Sequence, residues 1–600
     1  MSGRTTLSLR GVTHAAAIAL VLFGSPLAAK QPAPPVAQAP AAAPTQEQAY
    51  SRTGGDIVGY DSIHHPVIGH GGMVVSQNAY GTRAGAEILR RGGNAVDAAV
   101  TVALVEAVSL ARAGNIGGGG FMLIHMAAAD GKPASTTAID YYGVAPRKVT
   151  PDLLLDANGK FDRDKGWSFK GVAVPGTVAG LWAAHERFGK LPWADLVQPA
   201  IDLATNGVIL SDAEAEATAQ QSEALARDPG ARAAYLKPDG TPYKAGDLFR
   251  QPDLAKTLTA IRDHGRDGFY KGWVAKKVVA AMKANGGIID QGDLDAYRAD
   301  VSPPVWSSYR GHPVAYMPPT ASGVSVAEAM NILEHYPVGE MGWGSVANLH
   351  LLAETMKIVT SDRRLVGGKP DWNTPSKGLA SKEFAAQRAA LIKPDSALDE
   401  NTLPEGNPYP FESKDTTHYS VADASGNAVS NTYTLSASYG AHVVAPGTGF
   451  LLNNSLGNLA WGARGKEYPA TQVVPGKRVG STITPIIVFD KDKPWLVTGT
   501  PGGGTIIATM VQLLSNVIDH RLNVAEAAQR PRINQSDADR PMEMESGYSP
   551  DIARLLEEKG HKVVPSRTMG STQSIMIEGD RFLGAADTRR PDALAVGVTE

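Results

Sequence analysis

Lys414-Asp415-Thr416-Thr417-His418-Tyr419-Ser420-Val421-Ala422-Asp423 is followed by Ala424-Ser425-Gly426-Asn427 and then by Ala428-Val429-Ser430-Asn431-Thr432-Tyr433-Thr434. Both flanks are rich in Thr, Tyr and Val, which suit a pleated, half-buried surface. The Ser-Gly-Asn corner between them supplies residues that tolerate positive φ. The stretch is therefore predicted to be a β-hairpin. Folding about Ser425-Gly426 places Thr434 across from Thr416 or Thr417, so that two hydroxyls face each other at the mouth of a sheet. Cross-strand Thr pairs are ordinary sheet chemistry by themselves. Two downstream segments add weight: Arg478-Val479-Gly480-Ser481-Thr482-Ile483-Thr484-Pro485 and Thr498-Gly499-Thr500-Pro501-Gly502-Gly503-Gly504 are hydroxyl- and glycine-rich turns bounded by apolar runs.

Outward from the hairpin, strands and helices mix along the whole chain. A strand over 72–76 leads into a helix beginning at 83–90; Gly92-Gly93 breaks it, and Asn94 is suited to cap the next helix. Residues 95–111 are almost wholly apolar and small, which predicts burial on several faces. Gly117 to Gly120 permit close backbone approach before a strand over 121–126; a phosphate-cradling loop would need the Gly-Lys-Ser/Thr ending that this run lacks. Strands are further expected over 314–317, 449–452, 483–489, 495–498, 573–577 and 582–586. Residues 211–283 read as a polar, helical outer lobe, and 325–334 and 346–364 as amphipathic helices. Residues 394–413, rich in Pro, Asn, Asp and Glu, are expected to form an exposed loop just upstream of Thr416. A clear linker is missing throughout, which predicts one intertwined α/β (α+β) body.

Six hundred residues can bury a large core. The formal net charge of −3 gives no sign of a nucleic-acid partner. The chain has no cysteine, which removes disulfides, thiolate metal sites and Cys nucleophiles together. Residues 1–29 read as a signal peptide: Arg4 and Arg10 precede a short apolar core, and small residues end near Ala29. That core is too short to span a membrane comfortably, so a periplasmic or secreted location is expected, with no stable membrane span after signal removal. Residues 30–50 form a Pro/Ala-rich segment expected to be a disordered tether.

Thr416-Thr417-His418-Tyr419-Ser420-Val421 resembles the start of the mature small subunit of γ-glutamyltransferases, which are N-terminal-nucleophile hydrolases. Gly92 to Ala99, Gly114 to Met122, Pro175 to Gly180, Met317-Pro318-Pro319, Leu451-Leu452-Asn453-Asn454, Pro501-Gly502-Gly503 and Met569 to Ser574 also resemble the family, in family order, from about residue 70 to the C-terminus. The resemblance implies a four-layer αββα sandwich and scission between Asp415 and Thr416, giving a large subunit of residues 51–415 and a small subunit of 416–600 held as one body. A threonine hydroxyl is a poor nucleophile until something takes its proton. At a chain N-terminus its own α-amine, with an ordinary pKa of about 7.7–8.0, can do so. The resemblance makes Thr416 the nucleophile, Thr434 its hydrogen-bond partner, and Gly502 and Gly503 the oxyanion hole. Ser481 and Thr482 would hold a substrate carboxylate. The implied substrate is a small γ-glutamyl or acyl amide such as glutathione, with transfer to amino acids as a second outcome, and the chemistry calls for neither cofactor nor metal.

Four positions depart from the family pattern. Tyr142 stands where an arginine normally binds the α-carboxylate. Ser436, Ser455 and Asn458 replace an asparagine, an acidic or amide residue, and an aspartate, of which the last two normally hold the α-amine. Losing one partner of a buried charge pair costs on the order of 2–5 kcal/mol. An acylase acting on glutaryl-type groups is therefore the alternative, and Arg147 is the nearest cation in sequence to Tyr142. A catalytically silent binding protein is the non-enzyme alternative. The chain contains no Gly-x-Ser-x-Gly nucleophile elbow. His64, His65 and His70 lie in a Pro/Gly-bounded loop without a His-Glu-x-x-His helix, so they read as surface histidines. His418 reads as a packing residue, because successive strand residues alternate faces.

Overall fold

A computed structural model describes residues 62–368, 373–399, 416–536 and 538–599. The expected signal peptide and tether, most of the loop upstream of Thr416, and Asp415 itself lie outside the described residues.

The hairpin forms as its sequence dictates. Thr417–Asp423 pairs antiparallel with Ala428–Thr434, with Thr417 opposite Tyr433, so Thr434 falls opposite Thr416. Gly426 supplies the positive φ of the turn. Asp423 accepts the amides of Ser425 and Asn427 with one carboxylate oxygen, and with the other the amide of Ala95 at 2.8 Å. That last bond ties the turn to the helix Ala95–Ser109, which Asn94 and Asp97 close with a reciprocal capping box.

The hairpin is the middle of a seven-stranded sheet. In spatial order its strands are Leu594–Val598, Gly72–Ser76, Thr417–Asp423, Ala428–Thr434, Gly119–Met126, Ser135–Asp140 and Asp300–Ser302. A second seven-stranded sheet runs Val67–Gly69, Arg581–Ala586, Gln573–Glu578, Lys493–Thr498, Ile486–Asp490, His312–Tyr316 and Val305–Tyr309. Period-2 alternation assigns the side chains of the first sheet to two cores. Met73, Val75, Phe121 and Ala422 join the core shared with the second sheet. Val74, Met122, Tyr419 and Tyr433 join the core under the helices Ala79–Arg90, Ala95–Ser109, Thr177–Phe188 and Trp193–Asn206. The helices Gly323–Leu333, Val346–Asp362 and Ile506–Ile518 cover the far side of the second sheet. The result is a four-layer αββα sandwich.

Two expectations are corrected. Gly323–Leu333 and Val346–Asp362 are buried all round rather than amphipathic; in the second of them Glu354 pairs with Lys357, and Asp362 with Arg388. Residues 449–452 form no strand: only an isolated bridge joins Val444 to Leu451. No helix among the described residues is long and apolar enough to cross a membrane.

Candidate active site

Thr416 stands immediately before its strand and is 3% exposed. Its hydroxyl donates to Thr434 Oγ1 at 3.4 Å, and Thr434 Oγ1 also accepts the Ser436 amide at 2.9 Å. Ser436 takes this position with φ +81°, in the left-handed region that costs a non-glycine residue about 1–3 kcal/mol.

Alternation puts Thr416 and Thr434 on the face that meets the second sheet. The strand Lys493–Thr498 of that sheet ends over the hairpin: Ser430 Oγ donates to Thr498 O at 2.8 Å, and Gly499 packs against the His418 ring so closely that a Cβ there would lie 2.4 Å from it. Gly502 and Gly503 follow directly, with φ of +139° and +57°, at the start of the short 3-10 turn Gly503–Thr505 that leads into Ile506–Ile518. A Cβ on Gly502 would stand 2.7 Å from Thr505 Oγ1 and 3.1 Å from Gly570 Cα, so the position requires glycine in both conformation and space. His418 is a packing residue as expected: it is fully buried, bonded to Thr432 Oγ1 at 2.7 Å and to Ser420 Oγ at 3.1 Å, and burial pulls its pKa down to about 3.

The four positions that depart from the family pattern gather in one place. Ser436 Oγ donates to Asn458 Oδ1 at 3.0 Å, and Asn458 Nδ2 donates to Tyr142 Oη and to Gly480 O, both at 3.3 Å. Ser455 packs across Gly143, where a Cβ would lie 3.5 Å from its own. Tyr142 is buried and stacks on Phe121, with ring centroids 5.3 Å apart. A neutral chain of hydrogen bonds, Ser436–Asn458–Tyr142, thus stands at these positions. Its link to Gly480 O brings it beside Ser481 and Thr482, whose loop is held by the Ser481 amide on Thr320 O and by Ser322 Oγ on Ser481 O.

Arg147 is excluded as a substitute cation: it faces outward onto Asp290 and Asp293. Arg478 lies closer. Its guanidinium donates to Tyr142 O at 2.8 Å and to Tyr297 Oη at 3.0 Å, and sits 3.6 Å from Asp140. Burial raises the Asp140 carboxyl and Arg478 opposes that rise. A cleft of about 990 Å³ opens beside the chain, lined by Ser436, Asn454, Asn458, Phe161, Trp167 and Arg227 among others. His442 in the same cleft is pulled down to about 4 by burial, with Arg163 and Arg227 adding to the effect.

Two features escaped the sequence reading. Glu106, buried in the apolar helix behind the hairpin, was detectable as a carboxylate in the middle of a run of Ala, Val and Leu. His350, Glu354 and His561 bring ligand-type atoms within 4.8 Å of one another, and the four-residue spacing of the first two was the available signal. Several of their ligand-type atoms are engaged within the protein, although His561 Nδ1 has no hydrogen-bond partner among the described residues. His350 bonds His561 at 2.8 Å and Lys393 O at 2.7 Å, while Glu354 pairs with Lys357 at 2.7 Å and accepts the Leu398 amide.

The family model described as Gamma-glutamyltranspeptidase matches residues 81–597. The glutathione hydrolase proenzyme of Escherichia coli is 42% identical over 550 residues, covering 90% of this chain and 93% of that one. The acylase ACY 1 proenzyme of a Pseudomonas species is 37% identical over 546 residues, covering 89% and 95%. Among solved structures, the cephalosporin acylase from Bacillus halodurans matches with a TM-score of 0.79 at 26% identity, covering 90% of this chain and 98% of that one. Helicobacter pylori gamma-glutamyltranspeptidase matches with a TM-score of 0.53 at 33% identity, covering 58% and 97%. With the hairpin, the paired threonines and the two-sheet sandwich in place, these matches identify a hydrolase/transferase: the chain belongs to the gamma-glutamyltranspeptidase family.

Proposed function

We propose that the protein is an exported, autoprocessed amidohydrolase and acyltransferase whose nucleophile is Thr416, acting on γ-glutamyl amides such as glutathione. The observation that carries this reading is the Thr416–Thr434 hydroxyl pair, buried at the mouth of the central sheet. The Thr416 hydroxyl attacks the Asp415 carbonyl, its proton passes to the leaving amide nitrogen, and an ester forms. Water hydrolyses the ester, leaving a large piece that ends at Asp415 and a small piece that begins with the free amine of Thr416. That amine then takes the hydroxyl proton as Thr416 attacks a substrate amide. Gly502 and Gly503 offer amides at the start of a helical segment, where the dipole favours a developing oxyanion. The proenzyme names of the relatives support processing. Export rests on the expected signal over residues 1–29.

A second reading is favoured by the neutral Ser436–Asn458–Tyr142 chain. A glutaryl-type acyl group carries no α-amine, so it does not need the charged partners that these residues replace. Amine release from a γ-glutamyl anilide, measured beside the matching glutaryl anilide with Thr416→Ala as blank, separates the two. Faster γ-glutamyl turnover supports the first reading; faster glutaryl turnover overturns it for the second.

A further inference from the structure

Behind the catalytic face, on the helix side of the same sheet, lies the carboxyl group of Glu106. Glu106 is fully buried in the helix Ala95–Ser109, every residue of which is buried. Thr417 Oγ1 donates to Glu106 Oε2 at 3.1 Å, and Tyr433 Oη lies 3.4 Å from the same oxygen while donating to Ala103 O at 2.9 Å. Thr417 and Tyr433 are paired directly across the hairpin. Each is next in sequence to one member of the Thr416–Thr434 pair. One Glu106 oxygen therefore accepts from Thr417 and touches Tyr433, the two residues that adjoin Thr416 and Thr434 on the hairpin. Space is kept for it: a Cβ on Gly81 would stand 2.9 Å from Glu106 Cγ.

We propose that Glu106 is a positioning residue, which fixes the spacing of Thr416 and Thr434 through Thr417 and Tyr433 and thereby sets the rate of both chain scission and turnover. The inference rests on the reading of Thr416 as nucleophile. The hydroxyl pair is 3.4 Å apart, at the long end of a hydrogen bond, so a small rotation of either strand breaks it. Displacing a reacting group by about 1 Å costs on the order of a hundredfold in rate.

The groups that face Glu106 are Thr417, Tyr419 and Tyr433 from the hairpin, Ser76 from the adjoining strand, and Glu214 from the helix Asp212–Arg227. Glu214 has the same sign and is itself paired with Arg112 at 2.8 Å. Burial raises the Glu106 carboxyl to about 8, so at neutral pH it stands behind the two strands as an uncharged acid. Above that value it ionises, and a buried charge replaces a neutral hydrogen-bonding group.

The test compares Glu106→Gln and Glu106→Leu with wild type, by rate of chain scission, by kcat and KM, and by pH profile. Wild type is expected to lose kcat above about pH 8, whereas Glu106→Gln, which keeps a neutral acceptor, is expected to process and turn over as wild type at pH 7 and to show no such loss. Glu106→Leu is expected to slow scission and lower kcat on the order of tenfold to a hundredfold, with KM unchanged. If Glu106→Leu does not fold, the Glu106→Gln pH profile decides alone. A Glu106→Gln enzyme that keeps the alkaline decline, or a folded Glu106→Leu enzyme that matches wild type, overturns the proposal. A wild-type chain cut elsewhere than before Thr416 overturns the nucleophile reading and this proposal with it; a correct cut with unaffected variants overturns this proposal alone.

Discussion

On the proposed reading, Asn458 is the residue on which substrate choice is expected to turn. It bonds Ser436, Tyr142 and Gly480 together, joining three segments far apart in sequence. Replacing it by Asp places a carboxylate where a substrate α-amine would bind, with Ser436 still able to donate to it. Asn458→Asp is expected to shift the ratio of kcat/KM for γ-glutamyl over glutaryl anilide upward by about tenfold or more, since a charge-assisted hydrogen bond contributes about 1.5–3 kcal/mol. An unchanged ratio would mean that this chain does not contact the acyl head group. The residue types that matter here were legible in the sequence only through family resemblance. Spacing says nothing of Tyr142 meeting Asn458, because the two meet through the fold, one after the strand Ser135–Asp140 and the other in the turn Ser455–Asn458.

At the scale of elements, the hairpin was readable because its turn chemistry and alternation agree, and the register in the sheet matches that reading. The helices Gly323–Leu333 and Val346–Asp362 misled because Glu328, His350, Glu354 and Lys357 look solvent-facing in sequence but lie inside. Only tertiary partners reveal this. The glycine turn carries its own prediction. Gly502→Ala forces a side chain into a position with φ +139° and against Thr505 and Gly570. It is expected to destabilise the protein by about 1–3 kcal/mol, read by thermal melting. It should also lower kcat by on the order of a hundredfold as the amides are re-aimed. Wild-type kcat in a folded Gly502→Ala protein would remove the turn from the mechanism.

For the molecule as a whole, the two pieces flanking Thr416 are interleaved. Thr417–Asp423 pairs with the upstream strand Gly72–Ser76, Ala428–Thr434 with Gly119–Met126, and Ile486–Asp490 with His312–Tyr316. After scission the pieces are therefore expected to co-elute in gel filtration and to separate only in denaturant; separation in native buffer would contradict the shared core. Buried histidines are expected to make the fold less stable in acid. His418 and His561 each have a folded pKa of about 3 because burial penalises the charged ring, against an unfolded value of 6.5. The unfolded chain thus binds more protons between these values, and stability is lost as pH falls from 6.5 towards 3, by roughly a few kcal/mol per histidine. Urea unfolding across that window should show the midpoint falling with pH, and His418→Asn should flatten the slope.

On the proposed reading, the chain makes its own nucleophile by cutting before Thr416. Intact-mass analysis of the purified protein, beside Thr416→Ala, tests it most directly. Wild type is expected to give two masses, one matching residues 416–600, and Thr416→Ala a single uncut chain that releases no amine from either anilide. A Thr416→Ala protein that is cut and active would contradict it.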